Sequence, residues 1–196
     1  MAKNKRKLIY GVGINDCEKV SIDGKNIKSY VVWTSLIKRC YNTAFKEKYK
    51  TYENVFVCDE WLYFSNFKKW FDENYRWDLV EKGIAVELDK DLLSNNCKIY
   101  SPETCIFLPH KINIFLTNNR TKNTSGYIGV HKRKNSEKYE VQIREFGTSR
   151  QKYLGLFKNI EEANEAYIFA RKIEVDKAKK WLFELGYSQE ILEKIR

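Results

Sequence analysis

Between Gly126 and Phe157 apolar and polar residues alternate in three short runs, the two-residue period of half-buried strands. Lys-Asn-Ser-Glu (134–137) and Gly-Thr-Ser-Arg (147–150) interrupt the pattern as turns. Side chains point alternately to opposite sides of a strand, so the runs divide into two sets. Ile128, Val130, Val141, Ile143, Leu154 and Leu156 form an expected core face. Tyr127, His131, Arg133, Gln142, Arg144 and Tyr153 form the other, which is basic and hydrogen-bonding, with aromatic edges.

From Ile160 the period changes. Ile160, Ala163, Ala166, Tyr167, Ala170, Ile173 and Leu182 recur at helical spacing and predict a helix over about 160–180, its apolar stripe laid on the core face. Asn159 is placed to cap it, with Glu162 as the return half of a capping box. Three strands backed by one helix leave the second sheet face open. Gly186 stops the apolar continuation, and Ser188 caps a last short helix over Gln189–Lys194.

Upstream the elements are shorter. Ser29–Tyr41 predicts a helix with Val32, Leu36, Ile37 and Cys40 on one side. Val55–Cys58 reads as a short buried strand or turn, after which Asp59 caps a helix over Glu60–Asn74. That helix carries Trp61, Phe64, Phe67, Trp70 and Phe71, mostly on one face, which makes them core rather than a platform for stacking bases. Ile84–Leu88 is a strand ending in Asp89-Lys90-Asp91. A loop and the apolar run Cys105–Leu108 follow, and Pro109 opens a helix carrying Lys111 and Asn113. The fold class is α+β, in four parts: a basic arm over 1–28, a module over 29–117, a polar linker over 118–125, and the sheet-and-helix module with its helical tail over 126–196.

Charge sharpens this picture. The chain of 196 residues carries a formal charge of +10. Ten Lys and Arg stand against three Glu between Asn118 and Lys158, so most of the excess falls on the predicted sheet, and Lys3, Lys5, Arg6 and Lys7 add a basic N-terminus. A polyanion is the expected partner, with nucleic acid first among candidates and an acidic protein as the rival. No run of apolar residues reaches the roughly 20 needed to span a bilayer, and no signal peptide is evident, so a cytoplasmic, membrane-free protein is expected. Gly11-Val12-Gly13 is a turn, not a nucleotide-binding loop. Cys40, Cys58, Cys97 and Cys105 lack the close spacing of zinc sites and read as buried thiols; Cys17 has no assigned role.

The segments GYIGVHKRK, YEVQIRE and KYLGLFKNIEEANEAYIFA resemble an AP2 domain, a three-strand-plus-helix DNA-binding module, over about residues 124–175. The resemblance implies a sheet in the major groove of double-stranded DNA. Contacts would fall on His131, Arg133, Gln142, Arg144 and Tyr153, with Lys132 and Lys152 beside them. Tyr153 stands where the family usually has Trp, and His131 where it often has Arg, so base preference does not carry over.

Residues 30–115 resemble phage-type HNH homing endonucleases, and more closely a group of HNH-like phage proteins. Trp33, Leu36, Arg39 and Cys40 begin the match, followed by Val57, Cys58, Trp61, Phe64 and Phe67. Leu88-Asp89-Lys90-Asp91, Tyr100-Ser101-Pro102, Cys105 and Asn113 complete it. This implies a ββα-metal module encoded by a phage and working in a bacterial host. Such a site needs an imidazole base and a metal held by a carboxylate and an Asn or His. Asp89 stands at the carboxylate position, but Lys90 replaces the usual histidine. Two readings stay open. In one, the fold binds DNA and has lost cleavage. In the other, Asp89, Asp91 and Asn113 hold Mg²⁺ or Mn²⁺, and His110 or a carboxylate is the base.

Overall fold

The computed structural model describes residues 8–94, 97–117 and 125–196. The chain divides into two compact units, Met1–Leu108 and Pro109–Arg196. The expected arm residues Lys3, Lys5, Arg6 and Lys7 lie outside the described residues, as does the expected linker over 118–125 apart from Ser125. No helix among the described residues is long and apolar enough to cross a membrane.

The first unit opens with a hairpin, β1 (Ser21–Ile22) and β2 (Lys25–Asn26), then α1 (Lys28–Tyr41) and α2 (Thr43–Lys48). A 3-10 turn at Lys50–Tyr52 leads to β3 (Phe56–Val57), and a second at Asp59–Leu62 leads to α3 (Phe64–Asn74) and α4 (Trp77–Glu81). β4 (Val86–Asp89), β5 (Ile99–Tyr100) and β6 (Ile106–Pro109) complete it. β3 and β5 pair in parallel, with Phe56 opposite Ile99 and Val57 opposite Tyr100, and β4 pairs with β6.

The predicted first helix holds, but Trp33 rather than Val32 joins Leu36, Ile37 and Cys40 in the buried set, and Val32 is half-buried. The predicted helix over Glu60–Asn74 does not run through. It breaks at Tyr63, whose backbone is extended, and Asp59 starts a 3-10 turn with no side-chain cap. The cause is Ile14. Its N–H donates to the Leu62 carbonyl at 2.7 Å and its carbonyl accepts the Phe64 N–H at 2.9 Å, so Tyr63 is held in a bridge. The capping carboxylate comes from Asp16, which accepts the Ser65 N–H at 2.9 Å. The core expectation for the aromatic helix stands. Trp61, Phe64, Phe67 and Phe71 are at most 1% exposed, each burial stabilising by about 1.5–3 kcal/mol. The Trp33 indole N–H donates to the Trp61 carbonyl at 2.7 Å, so this large ring is buried with its polar atom satisfied.

The second unit starts with α5 (His110–Leu116), followed by β7 (Val130–Lys132), β8 (Tyr139–Arg144) and β9 (Gln151–Phe157), then α6 (Ile160–Glu184) and α7 (Gln189–Lys194). Pro109 ends β6 and is the N-cap of α5, so the helix begins one residue later than predicted. The Asn159 side chain accepts the N–H groups of Glu161 and Glu162, as its capping role requires. α6 runs past the predicted end because no breaker occurs before Gly186. There the Gly186 N–H bonds the Phe183 carbonyl and the Tyr187 N–H bonds the Leu182 carbonyl. Ile173 is exposed rather than part of the buried stripe; Glu174, Val175 and Ala178 are buried in that turn and the next.

Two cations fasten α5 within this unit. The Arg171 guanidinium lies 3.9 Å from the Phe115 ring centre and donates to the Phe115 and Arg196 carbonyls. Lys111 Nζ lies 4.7 Å from the Trp181 ring centre and 5.9 Å from that of Phe146.

Candidate nucleic-acid interface

The sheet β7–β8–β9 is antiparallel throughout. On one side Val130 and Val141 pack with Ala163 of α6, ringed by Tyr139, Leu154, Phe157, Ile160 and Tyr167. Gly129 makes the close approach possible. Its φ of +73° suits only glycine, and Tyr167 occupies the space where a side chain would begin.

The register places the other side. His131 stands opposite Glu140, which stands opposite Leu156. Gln142 pairs with Tyr153 and Arg144 with Gln151. The Arg133 N–H bonds the Lys138 carbonyl at 3.0 Å and extends the same row beyond β7. Alternation along β8 therefore sets His131, Gln142, Arg144 and Tyr153 on the face away from α6, with Arg133 in line. Tyr153 is 58% exposed. The Gln142 amide is oriented by a hydrogen bond to Glu140 Oε1 at 2.5 Å. The surface combines bidentate donors, an amide, an imidazole and a ring on a rigid platform, groups able to meet base edges and phosphates.

The structure corrects the two-face division in two places. A bulge between Val141 and Gln142 leaves Leu154 as the extra residue on β9. Beyond it the alternation flips, so Phe157 joins the core and Leu156 lies on the open face beside Glu140. Gly155, at φ +144°, is the sequence mark of that bulge. Ile128 is 42% exposed, not core, because Gly126 and Gly129 turn the chain on either side of it and β7 starts only at Val130. Lys132 stands opposite Tyr139 and Lys152 opposite Ile143, which puts both on the helix side of the sheet. Lys132 pairs with Glu137 at 3.1 Å. Glu140, Gln151 and Leu156 also belong to the open face; the two-residue period shared with Gln142 and Tyr153 accounts for the first two, and the register beyond the bulge adds Leu156.

The helix side is locked by a buried acid. Glu174, 4% exposed, accepts the Phe146 N–H at 2.7 Å and pairs with Lys177 at 2.6 Å. Burial pushes its carboxyl up, but these two bonds and the charges of Lys177 and Lys152 outweigh it and hold the group below its ordinary value.

In the first unit, burial raises the Asp89 carboxyl above its ordinary value. Its Oδ1 accepts the Leu92 N–H at 2.9 Å, the work of a turn acceptor. Lys90 is buried, with Nζ 2.5 Å from Asp91 Oδ1 and 5.6 Å from the Tyr100 ring centre. Asp91 points its carboxylate at that amine, with 84% of its side chain exposed. In the second unit, His110 is exposed at the start of α5 and Asn113 is half-buried one turn on. Among the described residues no group of three or more His, Cys, Asp or Glu is arranged to hold a metal ion. The Leu92 N–H engages Asp89 Oδ1 and the Lys90 amine engages Asp91 Oδ1. Of the four cysteines expected to be buried, Cys40 and Cys105 are, and burial pushes their thiols up to about 12, whereas Cys58 and Cys97 are half-buried.

No protein-family model, no curated protein and no solved structure matches this chain.

Proposed function

We propose that this protein binds double-stranded DNA through the open face of β7–β8–β9, as an AP2-like module does, and that residues 29–117 form an HNH-like module that binds without cutting. The observation that carries the reading is the division of the sheet. α6 packs on one side, and His131, Gln142, Arg144 and Tyr153, with Arg133 in line, stand together on the other. Arginine and glutamine on a twisted sheet can reach guanine and adenine edges, and the unit's positive charge supplies phosphate affinity. The test is binding of duplex DNA by the parent and by Arg133→Ala and Arg144→Ala. Equal affinity and equal sequence preference in all three would remove the open face as the interface.

A metal-dependent endonuclease of the homing type is the second reading, favoured only by the order β4, β6, α5 with Asp89 at the end of β4. Against it stand the Leu92 bond to Asp89 and the Lys90–Asp91 pair. Binding of an acidic protein would be the third; it predicts weak DNA binding without sequence preference.

A further inference from the structure

The first unit carries its own cationic surface. Over residues 8–108 the chain has fourteen Lys and Arg against fifteen Asp and Glu, yet Lys38, Arg39, Lys46, Lys48 and Lys50 crowd into residues 38–50 with Glu47 as the one acid among them. Three of these lysines lie over rings. Lys38 Nζ is 5.9 Å from the centre of Phe45, Lys48 Nζ 5.5 Å from that of Tyr49, and Lys46 Nζ 5.5 Å from that of Phe56. The Phe45 ring meets Tyr49 at 4.6 Å and Tyr52 at 5.6 Å. Rings and amines therefore form one group around Phe45 at the end of α1 and along α2, and a second pair, Lys46 with Phe56, reaches β3.

Phe45 is half-buried, and the Tyr49 and Phe56 rings stand outside the core. Val57 and Tyr100 take the inner side of the β3–β5 pair, while Phe56 and its partner Ile99 are 48% and 41% exposed. Tyr49 is 43% exposed. A lysine laid against a flat ring keeps its charge at the surface in fewer conformations, so ordering it on a ligand costs less. Amines at several points, each laid on a ring, suit a ligand that carries repeated negative charge.

The geometry points to a second nucleic-acid contact here: Lys38, Lys46 and Lys48, with Phe45, Tyr49 and Phe56, take the phosphodiester backbone of the DNA whose bases the open sheet face reads. This inference rests on the function proposed above. It assigns the first unit phosphate contacts, which set affinity and its salt dependence and carry no sequence information.

The experiment uses the full chain and a labelled duplex of about 30 base pairs, a length of about three helical turns, followed by fluorescence anisotropy across a range of salt. The variant Lys38→Ala/Lys46→Ala/Lys48→Ala is expected to bind about 10- to 100-fold more weakly at moderate salt, with the slope of log affinity against log salt reduced by about two to three. The matching triple Lys→Arg variant should keep the parent slope, which separates lost charge from lost folding. An unchanged slope in the alanine variant overturns this inference and leaves the proposed function standing. Displacement of the duplex by polyglutamate as readily as by unlabelled duplex also overturns it, because the patch would then take acidic peptides. A parent protein that binds no duplex overturns the proposed function, and this inference with it.

Discussion

The ring of Tyr167 lies on Gly129 so closely that a Cβ there would stand 2.2 Å from Cε2 and 2.3 Å from Cδ2. The Gln142 carbonyl, at 2.7 Å from the same point, closes the other side. One contact thus joins the start of β7, the centre of β8 and the middle of α6. Gly129→Ala must also hold a left-handed φ, and we predict that it destabilises the second unit by about 2–4 kcal/mol. Urea denaturation measures this. Full stability in the variant would mean that α6 does not approach the sheet this closely.

Glu174 makes the unit's stability depend on pH in a stated direction. Its carboxyl is held below its ordinary value of 4.5, so the unfolded chain takes up the proton first as pH falls. Its contribution is complete above the ordinary value and is lost as pH falls through the lowered one. Glu174→Gln should cost about 1–3 kcal/mol at neutral pH, because the Phe146 N–H and Lys177 lose a charged partner. The gap between parent and variant should narrow in acid; a gap that is constant with pH would contradict the assignment.

The register separates two kinds of cation on the sheet. Arg144 lies on the open face, with Arg133 in line, and alanine at either should cost about 1–3 kcal/mol in DNA binding and relax sequence preference. Lys132 and Lys152 lie on the helix side, and alanine there should leave sequence preference intact. Competition between cognate and scrambled duplexes distinguishes the two outcomes. Lost preference in Lys132→Ala or Lys152→Ala would reverse the assignment of faces.

Asp89 yields the fourth prediction. Its raised value means that ionised Asp89 costs the fold stability at neutral pH, a cost relieved as pH falls through that raised value. Asn can still accept the Leu92 N–H. Asp89→Asn should therefore raise the melting temperature at neutral pH, by a margin that shrinks in acid. A lowered melting temperature at neutral pH would show that the carboxylate is stabilised by a partner this turn does not provide.

Much of this was legible in the chain because local signals agreed with tertiary ones. The alternation over Tyr139–Arg144 and the cap at Asn159 each needed only near neighbours. What failed required knowledge of remote partners. Nothing near Tyr63 announces that Ile14 will bridge to it and split the aromatic helix. Leu156 changes face because one residue at the β9 bulge shifts the count, and Gly155 hints at this without fixing which strand carries the extra residue. Lys152 is basic but neighbours Tyr153, so alternation already sends it to the other side, where it pairs with Ile143. Glu140 falls on the open face by alternation with Gln142, and the register adds His131 as its partner.

Binding without cutting is open to one direct test. The direct measurement incubates the purified protein with duplex DNA drawn from its own gene and flanking sequence, with and without Mg²⁺ or Mn²⁺, and scores mobility shift and strand scission in the same samples. The account predicts a sequence-dependent shift that Arg133→Ala and Arg144→Ala weaken, and intact DNA with either metal. Metal-dependent cuts at a fixed position, abolished by Asp89→Asn while the shift remains, would contradict it.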